Sequence, residues 1–450
     1  MTTALRNERK NRRLASLGAT LEYYDFVAYT FVAAAISQAF FPADSPETVR
    51  LVWTFGIYAV GFVARPVAGI FMSRLADRIG RKKIFLFTLV LMSIATFGIG
   101  VLPTYESVGW VAPMLLLLMR LLQGCAVGGE LPAAAVFVSE FAGRGRVGYA
   151  GAYLQALAYG GFLLGASAAL LSSFVATNVF PTIPSLDWRL PFLIGGVLGL
   201  VALYLRRRLD ETPAFEKLDQ GGEEQVRTER GSLRTVVRAH SGAIAFGFLL
   251  IAALSIVNVI FFQYWPTYLQ VNLGHSAEMS LGASLIAIVG AMIAILLWGR
   301  FADRFGWRTL FIVGGIAATV VSVAVFLVLP AIPANSPLIL VACLPAAIGV
   351  SSIVAAVPGL LSSLFPTAVR QSGYSVPYNI GVAIFGGVLP LSIAPLIAAA
   401  GLTAPLIIVL VACAIAFVSA VLVTRLPLYL GRSVTAEQDE VDAAVVVAKG

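Results

Sequence analysis

The chain has 450 residues, 59% of them hydrophobic and only 12% charged, with a formal net charge of +8. That balance excludes an ordinary water-soluble domain. Cys125, Cys343 and Cys413 all fall in apolar runs without metal-ligand spacing and read as small packing residues.

Apolar runs of about 20 residues recur along the whole chain, each long enough to cross the ~30 Å hydrocarbon core as a helix. Breaks at Pro, Gly and charge clusters predict twelve spans: 15–41, 48–72, 83–102, 110–139, 148–177, 189–206, 242–270, 279–299, 308–330, 337–364, 373–398 and 403–424. The first follows the basic segment RNERKNRR. It is too long for a signal peptide, carries Glu22 and Asp25 and lacks a small-residue cleavage site, so it is expected to be an uncleaved helix.

Lys and Arg are retained on cytoplasmic loops. With the N-terminus inside, only Arg50 and Arg189 fall on the outer side, while Arg65 and Arg120 lie within spans. The expectation is a multi-pass protein of the cell inner (plasma) membrane with both termini cytoplasmic. The positive charge then records topology in the lipid bilayer and implies no nucleic-acid partner.

The stretch LADRIGRKK, residues 75–83, forms the connection between spans 2 and 3. A second copy lies between spans 8 and 9: GRFADRFG at 299–306 matches SRLADRIG at 73–80 in five of eight positions, at an offset of 226 residues. That offset is half the chain. It divides the sequence into a six-helix half at 1–206, a linker at 207–241, a second six-helix half at 242–426 and a tail at 427–450. The predicted fold is an all-α polytopic membrane protein with twelve transmembrane helices in two pseudo-symmetric halves, an architecture common among alternating-access transporters.

The repeated loop resembles the signature of the major facilitator superfamily, Gly-x-x-x-Asp-Arg-x-Gly-Arg-Arg/Lys, with Ser73 in place of the first Gly. EYYDFVAY (22–29), GFVARPVAG (61–69), RLLQGCAVGGE (120–130) and RQSGYSVPYNIGVAIFGG (370–387) narrow the likeness to the metabolite:proton symporters. Members of that family carry proline and betaine, citrate, α-ketoglutarate, shikimate and related compounds. The resemblance implies proton-coupled symport by alternating access. It also implies a cytoplasmic gate in which Asp77, Arg78 and Arg81 act with Glu140, and Asp303 and Arg304 do the equivalent in the second half.

An ionisable side chain inside a membrane span is a functional candidate, because burying its charge costs several kcal/mol unless it is paired or hydrated. Glu22 and Asp25 share one face of span 1 with Tyr29 a turn further on, and Arg120, Gln123 and Glu130 lie along span 4. Asp25 and Arg120 each stand about ten residues into their spans, roughly 15 Å deep, which places them together near the midplane. They are expected to pair directly or through water. Asp25, Glu22 and Glu130 are the proton-coupling candidates. Arg65 lies close enough to the end of span 2 to snorkel, and a local structural role is expected for it. Spans 7 to 12 offer polar groups without charge: Asn258, Gln263 and Tyr264, Ser351 and Ser352, and Tyr374, Tyr378 and Asn379. With Arg120, Tyr29 and Gln123, the substrate-binding candidates are Asn258, Gln263, Tyr264, Tyr378 and Asn379.

The sequence contains no G-x-x-x-x-G-K-[ST], H-E-x-x-H or G-x-S-x-G motif, so an ATP-driven pump or a hydrolase is not expected, and the reading is of a non-enzyme. His240 and His275 fall at loop positions and read as solvated. No cofactor is expected beyond the proton gradient as energy source. A small organic carboxylate, bound at Arg120, is the first expectation for the substrate. A zwitterion such as betaine or proline is the alternative, as is a non-transporting receptor of the same fold. The short tail shows no sustained heptad repeat. The partners expected are a small-molecule substrate, protons and lipid, with the monomer as the functional unit.

Overall fold

The computed structural model describes residues 20, 23–79, 81–126, 130–140, 142, 145–182, 185–207 and 237–430, with side chains described outside 66–67, 69–86, 130, 201–207 and 368. Among the described residues every regular element is helical. The first half comprises α1 (23–39), α2 (Glu47–Ile79), α3 (Arg81–Val101), α4 (Val111–Ala126 and Glu130–Glu140), α5 (Val147–Phe174, running on as a π-helix to Val179) and α6 (Leu186–Arg207). The second comprises α7 (Ser241–Asn258, continuing as a π-helix over Val259–Gln263), α8 (277–305), α9 (307–328), α10 (Leu344–Ser363), α11 (Arg370–Ala400) and α12 (Pro405–Leu422). All twelve expected spans have a helix.

The charged connections are shorter than expected. Helix α2 continues through LADRI to Ile79 and α3 opens at Arg81, so Asp77 and Arg78 occupy the last turn of a helix instead of a loop. In the second copy, two helices follow one another without an intervening loop over the 52 residues Ala277–Val328. A straight helix of that length would extend about 78 Å, far beyond one bilayer crossing. Gly306, the last residue of GRFADRFG, breaks it at φ 83°, a conformation that a residue without a Cβ adopts without strain.

Helices α7 and α10 are the most buried of the second half, with 78% and 67% of their most apolar 18-residue stretches inside the bundle. The two halves meet where α5 crosses α8 and α10, and where α2 packs on α11. Close approach depends on glycine: a Cβ on Gly151 of α5 would lie 2.5 Å from the Gly359 nitrogen of α10.

Candidate functional site

A narrow cavity lies between α1, α2, α4 and α5 of the first half and α7 and α11 of the second. Its wall is aromatic on several sides, from Tyr23, Phe26, Phe62, Phe162 and Tyr378. Ser255, Asn258 and Gln263 supply neutral hydrogen-bonding groups, Arg65 supplies a cation, and no carboxylate is among the described residues that line it. The Arg65 guanidinium packs against two adjoining rings, its central carbon 3.6 Å from the Phe26 centroid and 3.8 Å from that of Phe62. Arg65 thus stands on the cavity wall, a different place from the lipid-facing position expected of it.

Two of the wall residues bond across the halves. The Tyr58 hydroxyl of α2 donates to Gln263 Oε1 at 2.9 Å, and the Tyr159 hydroxyl of α5 donates to Asn258 Oδ1. In a regular α-helix residues five apart point about 140° from each other. The π-helical turn over Val259–Gln263 widens the helix and brings Asn258 and Gln263 onto one face. The remaining second-half candidates divide. Tyr378 lines the wall, whereas Asn379 donates to the Ser375 carbonyl of its own helix and Tyr264 is buried against Phe55, off the wall.

Behind the wall lies a buried polar chain. Asp25 accepts from the Thr96 hydroxyl of α3 at 3.2 Å, Thr96 accepts from Gln123 Nε2 at 2.8 Å, and Gln123 Oε1 accepts from Arg120 Nη1 at 2.8 Å. Asp25 and Arg120, expected to pair directly or through water, are thus joined by a bridge of two residues, Thr96 and Gln123. Arg120 is 1% exposed and is not on the cavity wall. Its guanidinium lies 3.7 Å over the Tyr29 ring, and Tyr29 in turn stacks on Tyr58 with centroids 5.8 Å apart. The Nε and Nη2 groups of Arg120 have no hydrogen-bond partner, which leaves the aromatic faces to compensate much of its desolvation. Thr96, Tyr58 and Tyr159 carry no signal in the sequence, since hydroxyls are common in membrane helices as helix contacts. Glu22 lies outside the described residues, as do the side chains of Glu130, Asp77, Arg78 and Arg81.

The end of the bundle that carries the two repeated connections is tied by charge. Glu140 of α4 accepts from Arg370 Nη1 of α11 at 2.6 Å, and Arg370 Nε donates to the Phe365 carbonyl. The Asp303 carboxylate accepts the backbone N–H groups of Gly148 and Tyr149, 2.7 and 2.8 Å away, at the N-terminus of α5, where helix N–H groups lack partners of their own. Burial pushes the Asp303 carboxyl up, against the pull of those two N–H groups and of Arg146. Arg300 reaches the Tyr149 hydroxyl at 3.4 Å, while Arg304 is exposed over Phe305. Arg370 and Arg300 look in the sequence like ordinary loop cations. At the opposite end Ser173 of α5 donates to Glu278 of α8 at 2.8 Å. His275 there is buried, contrary to the solvated position expected: its Nδ1 accepts the Asn335 backbone N–H at 3.0 Å, and burial pushes the imidazole down.

The sequence over residues 15–390 matches the family model described as Major Facilitator Superfamily. The chain belongs to the major facilitator superfamily. This facilitator is 35% identical over 391 residues to the glycine betaine/proline/ectoine/pipecolic acid transporter OusA of Dickeya dadantii, a match covering 84% of this chain and 75% of the relative. It is 34% identical to the proline/betaine transporter of Salmonella typhimurium, over 84% of this chain and 76% of the relative, and 33% identical to the ectoine/proline transporter ProP of Corynebacterium glutamicum, over 83% and 75%. Among solved structures, the partially occluded inward-open xylose transporter XylE of E. coli superposes with a TM-score of 0.69 over 94% of this chain and 98% of its own, at 16% identity. That likeness concerns the fold. Family membership makes the chain a multi-pass membrane transporter of a small molecule.

Proposed function

We propose that the chain is a proton-coupled symporter that takes up a zwitterionic solute such as betaine or proline by alternating access, across an inner membrane with both termini cytoplasmic. The observation that carries this reading is the make-up of the cavity wall: one stacked guanidinium, several aromatic faces and no described carboxylate. A solute carboxylate would be drawn to the Arg65 guanidinium on the wall. A quaternary or secondary ammonium group would rest against aromatic faces, which attract a cation without needing a hydrogen-bond acceptor. A dicarboxylate or tricarboxylate would leave charge uncompensated in such a cavity. The names of the relatives favour the same choice, so the zwitterion displaces the organic acid expected from the sequence.

In this reading Asp25, with Thr96, Gln123 and Arg120, is the proton-handling group, and solute and proton cross together before the halves rock. Uptake into proteoliposomes under an imposed pH gradient tests the proposal, with betaine, proline and mono-, di- and tricarboxylates offered in turn. Saturable, gradient-driven accumulation of the zwitterions is expected, and Asp25→Asn should keep betaine exchange while losing accumulation. Preferential accumulation of a carboxylate, or solute binding without flux, would overturn it.

A further inference from the structure

The two bonds that join the halves across the cavity, Tyr58 to Gln263 and Tyr159 to Asn258, differ in what stands behind each tyrosine. Tyr159 leads to Phe162 and Phe262, rings 5.0 Å away that bear no charge. Tyr58 leads to Tyr29, whose ring carries the Arg120 guanidinium, and from Arg120 the hydrogen bonds run through Gln123 and Thr96 to Asp25. One unbroken series of contacts therefore joins a wall residue of the second half to the buried carboxyl of the first.

Resting on the symport reading above, we propose that Tyr58 is the positioning residue that couples occupancy of the cavity to protonation of Asp25, acting through Tyr29 and Arg120. The Gln263 amide is on the wall, so a solute carboxylate that accepts from its Nε2 draws the amide into the cavity and takes Oε1 away from the Tyr58 hydroxyl. Released, Tyr58 no longer braces the Tyr29 ring, which is then free to tilt about the bond from its hydroxyl to the Thr54 carbonyl, 2.9 Å long. Arg120 has one hydrogen bond of its own to Gln123 and two buried N–H groups without partners, so its position follows the ring on which it lies. Movement of Arg120 with that ring loosens the Gln123–Thr96 bridge and weakens the positive field at Asp25. Asp25 then takes a proton.

No other described charge compensates: Asp25 faces Thr96 of α3 and Gly195 of α6, with Arg120 beyond the bridge, and its neighbour Tyr24 is engaged with the Pro191 carbonyl at 2.6 Å. Coupling of this kind is reciprocal, so protonation of Asp25 also favours the occupied cavity.

The test compares Tyr58→Phe with Tyr159→Phe in the full-length reconstituted protein, using betaine as probe. Each variant keeps its ring and loses one inter-half hydrogen bond. The readouts are betaine exchange without a gradient, proton uptake on betaine addition, and the pH dependence of betaine affinity. Tyr58→Phe should exchange betaine yet accumulate it about tenfold less under the same gradient, with a flattened pH profile. Tyr159→Phe should keep the wild-type slope whatever its affinity. A wild-type slope in Tyr58→Phe, or equal flattening in both variants, overturns the proposal. Betaine exchange without proton uptake by the wild-type protein overturns the symport reading, and this coupling with it.

Discussion

Arg65 and Arg120 carry the same charge on neighbouring helices, and their surroundings separate their tasks. Arg65 is on the cavity wall between Phe26 and Phe62. Arg120 is sealed over Tyr29, one hydrogen bond from Gln123. Removing the guanidinium in Arg65→Gln should therefore weaken betaine binding most, by about tenfold or more, since stacking and a charge-assisted contact are lost together. Arg65→Lys keeps the charge without the planar fork and should recover only part of that loss. Arg120→Gln should chiefly reduce gradient-driven accumulation. Equilibrium binding and proteoliposome uptake on the same three variants separate the two effects, and equal affinity losses at both positions would refute the division.

At the scale of elements, what matters is how helix ends and helix irregularities are used. The π-helical turn in α7 turns Asn258 and Gln263 to one face, and the N-terminus of α5 is held by Asp303 from the other half. The Asp303 carboxyl is pushed up because burial outweighs the two backbone N–H groups. In an opened gate the same carboxyl is hydrated and returns to its ordinary range. The closed state consequently binds the proton more tightly, so acidification favours closure and rising pH through the elevated pKa favours opening. Distances between fluorophores on α4 and α11 should lengthen as the pH on that face rises through the elevated Asp303 pKa. Asp303→Asn should remove the dependence, and a change of the opposite sign in the wild-type protein would contradict it.

On the scale of the whole molecule, transport requires two halves that hold together and still separate. Glycine contacts such as Gly151 on Gly359 let the helices touch without interlocking side chains, and charge holds the closed end. Arg370 is 3% exposed and Glu140 33%, so Glu140→Gln leaves a buried cation with a weaker partner. A hydrogen bond to a charged group contributes about 2 kcal/mol, so the ratio of closed to open molecules should fall by about 30-fold. Exchanging the residues, Glu140→Arg with Arg370→Glu, should restore much of it. The same fluorophore distances report both variants, and an unchanged closed population in Glu140→Gln would show that the pair does not hold the gate.

Much of this was legible in the order of residues alone. Twelve apolar stretches of bilayer length, a repeated charged motif half a chain apart and ionisable residues in otherwise apolar helices are local or periodic properties, and the bilayer converts them directly into spans and halves. Hence Asp25, Arg120, Gln123, Asn258 and Gln263 were recognisable as unusual in a membrane. Which face of each helix meets which neighbour depends on crossing angles, glycine contacts and helix irregularities that no single span encodes. Only the tertiary structure placed Arg65 on the cavity wall and Arg120 behind it, inserted Thr96 between Asp25 and Gln123, and brought Tyr58 to Gln263. The physical reason is that a hydroxyl or a guanidinium takes its role from the groups within about 3–4 Å of it, and those groups arrive from helices remote in the chain.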